Sequence, residues 1–190
     1  MEIIRPKLFV VSAPSGAGKT TIIHRAIDVV PELVLSVSHT SRSPREGEID
    51  GSDYFFLNTD EFKKKIEKKE FLEWAEVHGN YYGTSIKEIN KRIKKGETVI
   101  LDIDVQGAQQ VRKNEDIKPL YIFIEPPSMD ELTNRLVNRG TETEETLQKR
   151  IKNAKHELTF KNQYDFVIVN DQLDKAVEEF VGIITNNFSD

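Results

Sequence analysis

The chain has 190 residues, 37% of them hydrophobic and 31% charged, with a formal net charge of −5 from 27 basic and 32 acidic side chains. This predicts one soluble globular domain around a single core, and the acidic balance argues against a broad nucleic-acid surface, which needs a basic excess. No cysteine occurs, which excludes disulfides, thiolate metal sites and a cysteine nucleophile. No apolar run has the length of a membrane span, and Met1-Glu2-Ile3-Ile4-Arg5-Pro6 is not built like a signal peptide. The expected compartment is therefore the cytoplasm. His24, His39, His78 and His156 are scattered without metal-ligand spacing and read as structural or surface residues.

The first predicted element is an apolar strand from Leu8 to Ser12. Ala13-Pro14-Ser15-Gly16-Ala17-Gly18-Lys19-Thr20-Thr21 follows and opens into a helix with Ile22, Ile23, Ala26, Ile27 and Val30 on one face, stopped by Pro31. Strand, glycine-rich loop and helix form the context of a phosphate-binding P-loop, G-x-x-x-x-G-K-[ST]. Gly18, Lys19 and Thr20 fit the pattern, while Ala13 stands where the first glycine is usual. Gly16 and Gly18 allow positive φ, so that several backbone N–H groups converge on one anion. The helix start adds its dipole and its unsatisfied donors. In such a loop Lys19 reaches the outer phosphates of a nucleoside triphosphate, and the Thr20 hydroxyl ligates Mg²⁺.

Further strands are predicted from Leu33 to Ser38, Thr98 to Ile103, Leu120 to Ile124, and Phe166 to Val169. Most are continuous apolar runs, as in strands buried on both faces of a parallel sheet. Helices lie between them. Ser85-Ile86-Lys87-Glu88 reads as a capping box leading into Ile89 and Ile93 and ending at Gly96, and Ser128-Met129-Asp130-Glu131 as a second ahead of Leu132, Leu136 and Val137. Leu147, Ile151, Ala154 and Leu158 keep a helical period, as do Ala176, Val177, Phe180, Val181 and Ile184. The fold class is α/β, a doubly wound five-stranded parallel sheet of the P-loop NTP hydrolase type.

Two segments interrupt the alternation. Residues 39–84 hold turn signals, a short charged helix from Asp60 to Lys69 and aromatic strand-like pieces. Residues 127–156 are polar, helical and arginine-bearing, with a break at Arg139-Gly140-Thr141. Both are expected over the carboxyl ends of the core strands, where ligands bind in such sheets. The lysines from Lys63 to Lys69 read as a solvated helix face.

The second segment of chemistry begins at Ser38-His39-Thr40-Ser41-Arg42-Ser43-Pro44-Arg45-Glu46-Gly47-Glu48. It continues through Asp53-Tyr54-Phe55-Phe56, Phe71-Leu72-Glu73-Trp74-Ala75 and Asn80-Tyr81-Tyr82-Gly83-Thr84-Ser85. Leu101-Asp102-Ile103-Asp104-Val105-Gln106-Gly107 comes next, then Arg135, Arg139-Gly140-Thr141-Glu142-Thr143 and Arg150. In this order they resemble guanylate kinases, from the P-loop to Val169-Asn170-Asp171. Such enzymes transfer the γ-phosphoryl group of ATP to GMP, giving ADP and GDP.

The resemblance implies a division into a core (1–37, 85–126 and 157–190), a mixed α+β GMP-binding insertion (38–84) and a helical lid (127–156). It implies Arg42, Arg45, Tyr54 and Tyr82 on the GMP phosphate, where planar guanidinium groups bind two oxygens at once. Glu73 would accept both guanine N1–H and the N2 amino group, Ser38 and Thr84 would donate to O6, and Asp104 would assist at the amino edge. Asp102 would organise Mg²⁺, directly or through water. Arg135, Arg139 and Arg150 would bring positive charge from the lid, and Asn170 and Asp171 would meet the adenine. Taken singly, each of these is an ordinary loop, core or surface residue; their joint occurrence in one order favours the enzyme. The expected ligands are thus ATP, GMP (with dGMP) and Mg²⁺, with no nucleic acid and no membrane.

Other classes compete. Guanylate-kinase-like modules without catalysis bind peptides, but they carry degraded P-loops, whereas Gly16, Gly18, Lys19, Thr20 and Arg42 are present here. A P-loop kinase for another acceptor would leave Glu73, Ser38, Thr84 and Asp104 without purpose.

Overall fold

The computed structural model describes residues 7–138 and 144–187. In chain order its elements begin β1 (Leu8–Ser12), α1 (Lys19–Val29), β2 (Leu33–Leu35), β3 (His39–Thr40), β4 (Phe55–Phe56), α2 (Thr59–Glu67), β5 (Phe71–Val77), β6 (Asn80–Ser85) and α3 (Ile86–Lys94). They continue with β7 (Thr98–Asp102), α4 (Val105–Arg112), β8 (Leu120–Glu125), α5 (Met129–Asn138), α6 (Glu144–Leu158), a short 3₁₀ turn, β9 (Phe166–Val169) and α7 (Leu173–Asn186). Among the described residues no helix is long and apolar enough to cross a membrane.

The apolar runs form a five-stranded sheet in the order β2-β7-β1-β8-β9, every pair parallel. Strand side chains alternate between faces, so a run that is apolar throughout feeds two cores at once. Phe9, Val11, Ile100, Ile122 and Ile124 pack with Ile22, Ile23 and Ala26 of α1 and Ala176, Phe180 and Ile184 of α7 on one face. Val10, Val99, Leu101 and Phe123 pack with Ile89 of α3 and Val105, Ala108 and Val111 of α4 on the other. Helices on both faces of a parallel sheet make the doubly wound architecture.

A second sheet, in the order β4-β3-β6-β5, holds the chain between β2 and α3. The Asn58 side chain and Glu61 form a reciprocal capping box that starts α2, and Phe62 of that helix stacks on Phe71 at 4.4 Å between ring centroids. His39 is a structural residue here. Its ring packs on Phe55 and Phe71, and burial, with Lys65 adding to it, lowers its pKa to about 4, so it is neutral at pH 7.

Some local expectations are corrected. The strand expected from Leu33 to Ser38 stops at Leu35, because the chain leaves the edge of the core sheet to reach the second sheet, where the Ser38 carbonyl accepts from Phe55 N–H. The strand expected to reach Ile103 ends at Asp102. The capping box at Ser85 does not form: Ser85 ends β6, is 4% exposed, and its side chain makes no cap bond. A residue already held at the end of a strand and turned inward is not free to cap. Ser128 does accept from Glu131 N–H at 3.1 Å, but the Glu131 carboxylate goes to Arg135 instead of completing the box.

Candidate active site

The crevice lies at the carboxyl end of β1, where the sheet order changes direction, the usual ligand position in doubly wound sheets. Gly16 and Gly18 both adopt φ of +93°, and Gly18 is the N-cap of α1, with no side-chain cap and no acid in the first turn. The helix start thus keeps its donors for an external anion. The replacement of the first glycine also has a physical account. Ala13 does not take positive φ, and the residue is buried, 8% exposed, in the core cluster that includes α1. The loop lines a cavity of about 300 Å³ with Ser15, Gly16, Lys19, Thr20 and Thr21 among its walls.

Lys19 forms an ion pair with Asp102, the last residue of β7, and its ammonium also lies 3.4 Å from the Ile103 carbonyl. Two residues on, Asp104 does not extend the strand. It is the N-cap of α4 and accepts from Gly107 N–H at 2.8 Å. Thr20 is exposed in the first turn of α1. Among the described residues no three acidic or histidine side chains cluster as a ready metal cage. Mg²⁺ is commonly held by one or two protein oxygens together with substrate phosphates. The Thr20 hydroxyl and Asp102 carboxylate, both hard oxygen donors at the loop, fit that manner of binding.

On the second sheet Arg42 is held in a fork by Glu48, with Nη1 to Oε2 at 3.0 Å and Nη2 to Oε1 at 2.7 Å. Its guanidinium lies 5.5 Å from the Tyr54 ring centroid, and the Tyr54 ring meets the Tyr82 ring edge-on at 6.1 Å between centroids. Arg45 enters the same turn through its backbone N–H, which donates to Glu48 at 2.7 Å, while its side chain is exposed. The Arg42 hydrogen bond, then the Arg45 N–H, hold the Glu48 carboxyl below its ordinary pKa. Arg42, Tyr54 and Tyr82 therefore converge.

Glu73 of β5 is only 7% exposed. The Thr84 hydroxyl, across the β5–β6 ladder, donates to its Oε1 at 2.5 Å. Burial raises the Glu73 pKa above the ordinary carboxylate value, the Thr84 bond opposes this, and the nearby Asp104 charge adds to the rise. Gly107 leaves room at this junction, because a Cβ there would stand 3.2 Å from Glu73 Oε2 and press on that carboxylate. The Gln110 side chain clasps the Trp74 backbone from α4, accepting from its N–H at 3.1 Å and donating to its carbonyl at 2.8 Å. That clasp fixes Glu73 against the core. Ser38 is half-buried beside β3.

Helices α5 and α6 pack on each other through Leu132, Leu136 and Ala154. Leu132 and Leu136 also press on the loop, where a Cβ on Gly16 would come within 3.1 Å of Leu136. Arg135 donates to Glu131 at 2.9 Å and to the Asn170 carbonyl at 3.0 Å, and Arg150 donates to the Ser15 hydroxyl at 3.3 Å. Arg139 and its neighbours to Thr143 lie outside the described residues. Asn170 takes a position that the sequence did not suggest. It is 5% exposed, and its amide donates to the Ala17 carbonyl at 2.7 Å, so that side chain braces the P-loop instead of reaching out to a base. Asp171 is exposed beside it.

Sequence reasoning missed Glu48, Gln110 and Glu157. Glu48 stood within the Arg42 motif but was given no role, and only packing reveals the other two.

A family model described as guanylate kinase matches residues 5–187. The chain is 50% identical over 177 residues to a guanylate kinase of Geobacter sulfurreducens, covering 93% of this chain and 87% of that protein. It is 46% identical over 178 residues to a guanylate kinase of Prochlorococcus marinus subsp. pastoris, covering 94% and 96% of the two chains. A crystal structure of guanylate kinase from Anaplasma phagocytophilum superposes with a TM-score of 0.72 at 31% identity, covering 97% of this chain and 88% of that one.

Proposed function

Since the chain belongs to the guanylate kinase family and is an ATP:GMP phosphotransferase, we propose that it transfers the γ-phosphoryl group in line, with Mg²⁺ and with closure of α5 and α6, and that dGMP is also accepted. The observation that carries the acceptor assignment is Glu73, a buried carboxylate hydrogen-bonded by a hydroxyl and raised in pKa by burial. Guanine offers such a group two donors on one edge; adenine offers an unprotonated N1. Thr84 and Ser38 supply hydroxyls for O6, and Asp104 stands at the amino edge.

Arg42, Arg45, Tyr54 and Tyr82 bind the GMP phosphate. Arg42 exchanges its Glu48 partner for phosphate oxygens, for which its fork geometry is equally suited. No general base is required, because the attacking phosphate oxygen is already largely ionised at neutral pH, with a second pKa of ~6. The difficulty is to bring two anions into line, so catalysis rests on positioning and charge neutralisation. The P-loop N–H groups and Lys19 hold the ATP phosphates, and Arg135, Arg139 and Arg150 add charge from the α5–α6 side. Closure of these helices excludes water, which would otherwise accept the phosphoryl group. Asp171, exposed after β9, would meet the adenine, with the Asn170 side chain bracing the loop beside it.

Thr20 and Asp102 would hold Mg²⁺, which when bound neutralises and orients the donor phosphates. Chelation of divalent cations is expected to reduce transfer to background, and Asp102→Asn to raise the Mg²⁺ concentration needed for half-maximal rate. Full turnover in excess chelator would contradict the metal assignment.

A further inference from the structure

Two side chains of α6 reach the P-loop. Arg150 donates to the Ser15 hydroxyl at 3.3 Å, and Glu157, seven positions later on the same face of the helix, lines the loop's cavity beside Ser15. Glu157 is itself a wall of the phosphate cavity, together with Gly16, Lys19 and Thr20. An acid is the wrong charge to line a cradle built for phosphate. Its position is intelligible if it belongs to the state without donor, in which the loop's N–H groups would otherwise be unsatisfied.

We propose that Glu157 is a positioning residue that acts as an internal stand-in for a donor phosphate, latching α6 to the P-loop until ATP replaces it. The inference rests on the loop being the ATP site. It adds a coupling that the site assignment does not contain. The incoming phosphate enters the cavity, the carboxylate is displaced, and α6 is freed to move while Arg150 remains beside the new anion. Burial first, and then the Asp104 charge, hold the Glu157 carboxyl above its ordinary pKa, while Lys19 opposes the rise. The charged form is thus held at a cost that favours its displacement.

The test is binding of a non-hydrolysable ATP analogue with Mg²⁺, and separately of GMP, measured by calorimetry on wild type and Glu157→Gln. Glutamine keeps a side-chain acceptor at this wall and removes the charge. The expected result is analogue affinity raised about tenfold, the scale of one partly screened charge pair, a lower KM for ATP, and GMP affinity unchanged. Glu157→Ala is expected to shift affinity in the same direction and serves if the glutamine variant does not fold. Unchanged or weakened analogue binding with intact GMP binding would overturn the latch. Failure of folded wild-type protein to bind the analogue at all would overturn the donor-site reading beneath it.

Discussion

Lys19→Ala is expected to lower kcat by about 10²–10³-fold, the usual loss when one preorganised charge is removed from a developing anion, while the dissociation constant for GMP stays within about twofold. Lys19 stands at the end of the P-loop and is paired with Asp102; no contact links it to Arg42, Tyr54 or Glu73 among the described residues. The substitution therefore removes charge from the donor side only. It also leaves Asp102 without its cation, so Lys19→Met is the better control for packing. A coupled ADP-release assay and GMP titration together check this split. A parallel fall in GMP affinity would mean that the two halves of the site are not separable in the way the geometry suggests.

Glu73→Ala is expected to reduce kcat/KM for GMP by about 10³-fold and to shrink discrimination against AMP from about 10⁴-fold to a small factor, since buried polar partners give selectivity of that order and apolar shape does not. The loss should appear mainly in KM, because the carboxylate serves binding and not the reacting phosphates. Its raised pKa gives a second signature. The ionised form is the one that accepts from N1–H and N2–H, so guanine binding favours proton release. As pH falls through the raised value, Glu73 protonates and the KM for GMP climbs, beginning above the pH at which an ordinary carboxylate would respond. Glu73→Gln should abolish that climb. Equal loss of activity toward GMP and AMP in the alanine variant would remove the base-recognition role.

Much of the architecture could be read from local pattern. The strand that starts at Leu8 is apolar through Val11 because both faces of the sheet are covered, and Gly16 and Gly18 announce a loop that takes positive φ. Short-range rules failed where tertiary structure had already committed the residue. Ser85 has the spacing of a cap but is buried as the end of β6. Asp104, expected only at the guanine amino edge, also caps α4 through Gly107 N–H. The Asn170 brace on Ala17 spans 153 positions and has no local signal at all. The same is true of Gln110 on Trp74 and Glu157 beside Ser15. Residues proposed to touch ligands sit in recognisable motifs, whereas those that hold the motifs in place are defined by contacts between elements.

Both phosphate sites share a feature that follows from these contacts. Arg42 pairs with Glu48 and Lys19 with Asp102, and Glu157 lines the loop cavity. Groups arranged for phosphate are satisfied by carboxylates, which lowers the cost of keeping such charge together. On the proposed function, substrate phosphates would exchange with these carboxylates, and selectivity would fall to Glu73.

The most direct measurement is ADP release from Mg-ATP with GMP, dGMP, AMP, CMP and UMP each supplied as acceptor. Turnover with GMP, accompanied by dGMP and falling to background with the other three, is the predicted result. Folded protein that turns over none of the five, or that accepts AMP as readily as GMP, would contradict the assignment of the Ser38–Thr84 region as a guanine site facing an ATP-loaded P-loop.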